Sequence, residues 1–223
     1  MTAVRAVLFD LDGTLLDTAP DLAAALDALR LEQGLEGLPF AEVRPLVSHG
    51  ARALVRHGFA QAEGAEFEVL RQRFLTLYAA GRHAHSRPFA GVTEALDVLD
   101  ACGIPWGIVT NKPAGLTGPL LAGLGLAHRV RSLVCGDTLP ERKPHPRPLL
   151  HAATRLGVAA ADVVYVGDAE RDVLAARAAG MRAYVALYGY IPAVERPRDW
   201  PAQGFIDSSQ HLAGFLQSLL RTS

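Results

Sequence analysis

Two aspartates separated by one residue, Asp10 and Asp12, stand directly after the apolar run Ala6-Val-Leu-Phe9. In an extended strand successive side chains alternate faces, so both carboxylates can point one way with Leu11 turned to the other. A second apolar run, Val163-Val-Tyr-Val166, ends on Gly167-Asp168, with Asp172 four residues further on. In open parallel sheets ligands bind beyond the carboxyl ends of the strands, which is where these residues fall. Carboxylates converging from two strand ends repel one another unless a cation sits among them. Hard oxygen donors with no Cys or His nearby favour Mg²⁺. Any one of these aspartates could instead cap a helix or fill a turn. The joint pattern is much harder to explain that way.

Two more strand ends bring donors and cations. Ile108-Val109 leads to Thr110-Asn111-Lys112, a hydroxyl, an amide and an ammonium at the expected start of a helix, where backbone N–H groups favour an anion. Leu133-Val-Cys135 leads to Gly136-Asp137 and then to Lys143-Pro-His-Pro146, whose prolines stiffen the approach and aim Lys143 back at the strand ends. Thr110 could be a simple N-cap, and a loop lysine is usually a solvated cation. Composition weakens the second alternative: of 22 basic residues only Lys112 and Lys143 are lysines. An ammonium is a compact point charge that fits where a guanidinium fork does not. Lys112 receives no role at this level.

The elements that position these residues alternate. Short strands are expected at Ala6–Phe9, Ile104–Val109, Leu133–Cys135, Val163–Val166 and Ala183–Leu187. Helical spacing links Val92, Ala95, Leu96 and Leu99, then Leu149, Leu150, Ala153 and Leu156, and finally Leu212, Phe215, Leu216 and Leu219. Gly103, Gly157 and Gly180 stand where helices should stop. This alternation predicts an α/β fold with a parallel sheet covered on both faces. The rhythm breaks between Asp17 and Arg87. There Leu22, Ala25, Leu26 and Leu29, then Val43, Leu46 and Val47, then Phe67, Leu70, Phe74 and Leu77 keep helical spacing with no convincing strand. Thr18 and Pro20 mark the start. The organisation is therefore a core of residues 1–16 and 87–223 with a helical insertion at 17–86.

A chain of 223 residues, half apolar and 20% charged, can bury a substantial core. A net charge of −1 gives no electrostatic footprint for nucleic acid, and no apolar run is long enough to span a membrane. The N-terminal apolar run is too brief for a signal peptide, and Cys102 and Cys135 form neither a metal pair nor a disulfide framework. A cytoplasmic monomer or weak dimer acting on a small molecule is the expectation.

These residues resemble the haloacid dehalogenase superfamily of phosphoryl-transfer enzymes. The segment Phe9-Asp-Leu-Asp-Gly-Thr-Leu-Leu-Asp17 looks like its first motif, Thr110 its second, Lys143 its third, and Gly167-Asp168 with Asp172 its fourth. Val109-Thr-Asn-Lys-Pro113, Lys143-Pro-His-Pro146 and Tyr188-Gly-Tyr190 look like the phosphoglycolate phosphatase branch. Ser48-His-Gly-Ala-Arg52, Arg87-Pro-Phe89 and Leu187-Tyr-Gly-Tyr-Ile191 are similar to the related N-acetylmuramic acid 6-phosphate phosphatases.

The resemblance implies a Rossmann-like core under a helical cap, and a Mg²⁺-dependent phosphomonoester hydrolase acting on a small carboxylate-bearing phosphate ester. Asp10 would be the nucleophile and Asp12 the acid and base. The metal would be held by Asp10, the main-chain carbonyl of Asp12, Asp168 and Asp172. Thr14, Thr110, Asn111 and Lys143 would face the phosphoryl group, and His49, Gly50 and Arg52 of the cap the rest of the substrate. Tyr188 and Tyr190 are expected in the core. A phosphosugar mutase would share every motif. A metal-independent dehalogenase fits less well, because a halide leaves without the proton that Asp12 would donate. A binding protein on a retired enzyme fold should lack at least one motif residue, and none is missing.

Overall fold

The computed structural model describes residues 3–81 and 83–221. Met1, Thr2, Arg82, Thr222 and Ser223, which the expected domain ranges include, lie outside them. Along the chain run β1 (Ala6–Phe9), β2 (Leu16–Asp17), α1 (Ala19–Glu32), α2 (Phe40–Val43), α3 (Gly50–Gly58) and α4 (Gly64–Ala80). Next come β3 (Arg87–Pro88), α5 (Val92–Ala101), β4 (Trp106–Val109), α6 (Ala114–Gly123) and β5 (Ser132–Val134). The remainder is α7 (Arg147–Leu156), β6 (Val163–Gly167), α8 (Glu170–Ala178), β7 (Arg182–Ala186), β8 (Gly204–Ile206) and α9 (Leu212–Arg221).

The main sheet has the order β5-β4-β1-β6-β7-β8, and every pairing in it is parallel. Buried on both faces, β1, β4 and β6 show a continuous apolar run rather than alternation. Val7, Phe9, Trp106, Ile108, Val164 and Val166 pack towards α5, α6 and α9. Ala6, Leu8, Val109, Val163 and Tyr165 pack towards α7 and α8 on the other face. The expected glycine stops hold: Gly103, Gly157 and Gly180 end α5, α7 and α8 with positive φ, a conformation open to glycine without steric cost. Leu150 departs from its expected apolar face and is exposed.

Between β2 and β3 the chain is helical, and it has a core of its own built around Leu26, Leu29, Leu54, Val55, Phe67 and Phe74. The chain leaves and re-enters the main domain through β2 and β3, which pair antiparallel with Leu16 opposite Pro88 and Asp17 opposite Arg87. The sequence showed no strand here. A two-residue strand has no period to read, and its partner lies some 70 residues away. β8 was missed for a similar reason: Gly204-Phe-Ile206 is a short edge segment.

Tyr190 seals this crossing. Its hydroxyl accepts the N–H groups of Thr18 (2.7 Å) and Ala19 (3.0 Å) and donates to Asp17 Oδ1 (2.6 Å). It therefore satisfies two of the three orphan donors at the start of α1, where Pro20 carries no N–H. Thr18 is the N-cap residue at the expected helix start, but its side chain makes no capping bond; its hydroxyl donates to Asp12 instead. Tyr190 is buried as expected, and Tyr188 is half-buried with its hydroxyl on Thr14 O at 2.9 Å. Tyr190→Phe leaves both N–H groups without their acceptor. The expected cost is about 1–3 kcal/mol, read as a lower denaturation midpoint with an unchanged m-value.

Candidate active site

Asp10 continues β1 by one residue, with its N–H on Val166 O at 2.9 Å, so β6 fixes its backbone directly. Its carboxylate Oδ1 accepts Lys143 Nζ at 2.9 Å and the N–H of Leu11 at 2.8 Å. The same ammonium reaches Asp172 Oδ1 at 2.7 Å and the Tyr165 hydroxyl at 2.8 Å. Lys143 is fully enclosed, with a side-chain exposure of 0%. The solvated-loop alternative is thereby excluded for it. Asp172 also accepts the N–H of Ala169 at 3.1 Å, so the helix-capping alternative is half true: this aspartate steadies the start of α8 and belongs to the cluster.

Asp168, at the end of β6, is held by one oxygen only. Its Oδ2 accepts Ser48 Oγ at 2.7 Å and the N–H of Tyr190 at 2.8 Å. Its Oδ1 is buried without a hydrogen-bond partner among the described residues. A Cβ on Gly13, where φ is +83°, would overlap the Asp168 carboxylate, so this tight packing requires glycine. Asp10, Asp168 and Asp172 each offer a carboxylate oxygen within 4.8 Å of the others. Burial, reinforced by the facing charges of Asp10 and Asp172, pushes the pKa of Asp168 up to about 7. Burial also raises that of Asp10, against the pull of Lys143. An orphaned oxygen, three converging carboxylates and an excess of negative charge are the features of a hard divalent-cation site, and Mg²⁺ fits them.

Asp12 sits at the mouth of this cluster. Its Oδ1 accepts Thr18 Oγ1 at 2.6 Å and Lys112 Nζ at 2.9 Å, and Lys112 Nζ also meets the Tyr78 hydroxyl at 2.7 Å. Burial opposes the charge on Lys112, but Asp12 and Tyr78 outweigh it and hold its pKa above the ordinary lysine value.

The remaining expected residues divide. Thr110 follows β4, and its hydroxyl accepts the N–H of Lys112 at 3.1 Å; it does not cap α6, whose first N–H goes to Asp137 Oδ1 at 2.8 Å. Asn111 spends its amide first on the main chain of Lys143. Nδ2 donates to Lys143 O at 3.0 Å and Oδ1 accepts the Lys143 N–H at 3.1 Å, which locks the two loops together. Thr14 is fully buried and cannot touch a substrate. Its hydroxyl is buried without a hydrogen-bond partner among the described residues. His49 pairs with Glu195 at 3.2 Å. Arg52, with 69% of its side chain exposed, pairs with Glu68 at 2.5 Å and stacks over Phe67.

A cavity of about 580 Å³ lies between the helical insertion and the strand ends, lined by residues of both. His49, Gly50 and Arg52 line it, and so do Asp10, Asp12, Thr110, Asn111 and Lys112. Tyr78, Arg71, Arg142 and Arg171 line it too, and sequence reasoning missed them. Arg142 precedes Lys143 and Arg171 stands between Asp168 and Asp172, so motif adjacency was the available signal. Tyr78 and Arg71 lie on α4, whose spacing marked only its apolar face.

Because the folded-state pKa of Asp168 is raised, its charge costs stability at neutral pH. That cost is full above about pH 7 and vanishes as pH falls through the ordinary carboxylate range. Asp168→Asn should therefore raise the melting temperature of the metal-free protein while abolishing the further rise produced by Mg²⁺. A lowered melting temperature with an undiminished Mg²⁺ shift would remove Asp168 from the metal site.

The family model for haloacid dehalogenase-like hydrolases matches residues 7–186. A phosphoglycolate phosphatase of Xanthomonas campestris pv. campestris is 49% identical over 208 residues, covering 93% of this chain and 94% of that one. An N-acetylmuramic acid 6-phosphate phosphatase of Pseudomonas aeruginosa is 41% identical over 218 residues, covering 97% and 96%. The crystal structure of a predicted phosphoglycolate phosphatase from Haemophilus somnus superposes with a TM-score of 0.85 at 27% identity, covering 96% of this chain and 99% of that one. With its carboxylates and lysines gathered at the ends of β1, β4 and β6, the chain belongs to the haloacid dehalogenase-like hydrolases.

Proposed function

We propose that this hydrolase cleaves a small, carboxylate-bearing phosphate monoester through an aspartyl-phosphate on Asp10. The observation that carries the reading is the pairing of two aspartates in different surroundings. Asp10 is enclosed and bound to Lys143, whereas Asp12 stands at the cavity mouth with Lys112 and Thr18. One carboxylate suits attack on phosphorus, and the other suits proton transfer at the ester oxygen.

In the first step a carboxylate oxygen of Asp10 attacks phosphorus. The bond from phosphorus to the ester oxygen breaks, and the carboxyl of Asp12 gives its proton to the departing alkoxide. In the second step Asp12, now ionised, takes a proton from water as the water oxygen bonds to phosphorus. The bond to Asp10 breaks and inorganic phosphate is released. Lys143 offsets the charge of Asp10 while the phosphoryl group approaches, and the Thr110 hydroxyl and Lys143 orient its oxygens. Mg²⁺, held by Asp10, the carbonyl of Asp12, Asp168 and Asp172, would neutralise phosphoryl charge. Most of the barrier reduction in phosphoryl transfer comes from such positioning and neutralisation.

Residues 17–86 act in this reading as a cap that excludes water. Arg52 and Arg71, which share Glu68, are the fork for a substrate carboxylate. The cavity lies within the roughly 300–1,000 Å³ of ordinary small-molecule sites, enough for a sugar as well as a two-carbon acid. The two named activities among the relatives, on 2-phosphoglycolate and on N-acetylmuramic acid 6-phosphate, are the substrates to compare.

Asp10→Asn should abolish turnover with the fold intact, and substantial residual activity would reject the nucleophile. With Mg²⁺ present, kcat/KM for one of the two substrates should exceed that for the other by about a hundredfold. Poor, equal values would discard both. Arg52→Ala should raise KM for the preferred substrate by about tenfold; an unchanged KM takes Arg52 out of the site.

A further inference from the structure

Each aspartate of the Asp10-Leu-Asp12 segment has its own lysine, and these are the two lysines of the chain. Lys143 has a role above. Lys112 does not, and its surroundings are specific. Its backbone is pinned on both sides: the N–H donates to Thr110 Oγ1 at 3.1 Å, and the carbonyl accepts the N–H of Gly136 at 2.9 Å. Its side chain is 7% exposed, and its ammonium is divided between Asp12 of the core and the Tyr78 hydroxyl of α4, with the Tyr78 ring centroid 4.5 Å away. Both donors to Asp12, Thr18 Oγ1 and Lys112 Nζ, fall on the same oxygen, Oδ1. Two bonds on one oxygen fix the plane of the carboxyl group and leave Oδ2 clear of both donors.

We propose that Lys112 is a positioning residue that makes the aim of the Asp12 carboxyl depend on the helical insertion, through Tyr78. The proposal rests on the reading of Asp12 as proton donor to the leaving oxygen. When α4 lies against the core, Tyr78 holds the ammonium at the point where it meets Oδ1. When α4 moves away, the ammonium keeps Asp12 but loses its anchor, and the carboxyl loses its fixed plane. Proton donation is thus tied to closure, when water is excluded from the cavity. A guanidinium in place of the ammonium would be too broad to sit between Asp12 and the Tyr78 ring.

The test uses leaving-group dependence. The alkoxide of a sugar phosphate or 2-phosphoglycolate needs a proton to depart, whereas the phenolate of p-nitrophenyl phosphate does not. The ratio of kcat/KM on the better alkyl ester to that on p-nitrophenyl phosphate reports proton donation in the step that forms the aspartyl-phosphate. Asp12→Asn should lower that ratio by about a hundredfold or more. Lys112→Met should lower it by about tenfold or more, and Tyr78→Phe, which keeps the ring, by about threefold or more. On the alkyl ester the loss should fall on kcat, with KM within about threefold. Lys112→Arg should not restore the ratio.

If Asp12→Asn shifts the ratio while Lys112→Met and Tyr78→Phe depress both substrates equally, Lys112 is structural and the proposal fails. A loss borne by KM would reassign Lys112 to substrate binding and also overturn it. If Asp12→Asn leaves the ratio unchanged, the fault lies in the proton-donor reading itself. Should Lys112→Met fail to fold, Tyr78→Phe decides the matter alone.

Discussion

Lys143 Nζ, lying 2.9 Å from Asp10 and 2.7 Å from Asp172, is the contact on which the rest of the site depends. Three buried carboxylates in one pocket repel one another strongly at short range in a poorly polarisable interior. One enclosed ammonium offsets part of that repulsion, and Arg171 adds a second positive charge, raised in pKa because Asp172, Asp10 and Asp168 together outweigh its burial. What remains is negative and aimed at one point, with Asp168 Oδ1 lacking a partner among the described residues. A site for a hard cation is thus an electrostatic remainder of the fold. The strand ends supply more negative charge than the protein itself neutralises.

That arrangement is only as good as the backbone that delivers it. β1, β4 and β6 are buried on both faces and lie side by side, so Asp10, Thr110 and Asp168 leave adjacent strands at the same end of the sheet. Asn111 ties the Lys143 loop to the loop after β4 with two hydrogen bonds to one residue's main chain. Gly13 and Tyr190 close on Asp168 from two other segments. Lys143 and Asp168 are thus set in place by neighbours to which no step of the chemistry is assigned.

The helical insertion reaches into the same network at three points. Ser48 meets Asp168, Tyr78 meets Lys112, and Thr18 meets Asp12. These contacts join a unit with its own apolar core to the carboxylates of the sheet. The two-stranded crossing and the Tyr190 hydroxyl hold the point about which the insertion joins the main domain.

The motif aspartates, both lysines as special positions, the parallel core and the helical interruption were legible in the sequence. Each is a local pattern: an apolar run that ends on a carboxylate, a 3.6-residue spacing, or a rare residue type. The crossing strands β2 and β3 were not legible, since two residues carry no period and pair with a segment far along the chain. Neither was the orientation of Asn111 and Thr14, since the motif places both at the site without saying which way a side chain turns. Asn111 turns to a main chain 32 residues on, and Thr14 is sealed inside. Tyr78 and Tyr165 were invisible for the same reason, one on a helix far from any motif and the other within an ordinary apolar run. Residue type and spacing determined which groups could do chemistry here. Tertiary structure alone decided which of them meet, because a hydrogen bond or ion pair of 3 Å between segments 30 to 170 residues apart has no trace in local order.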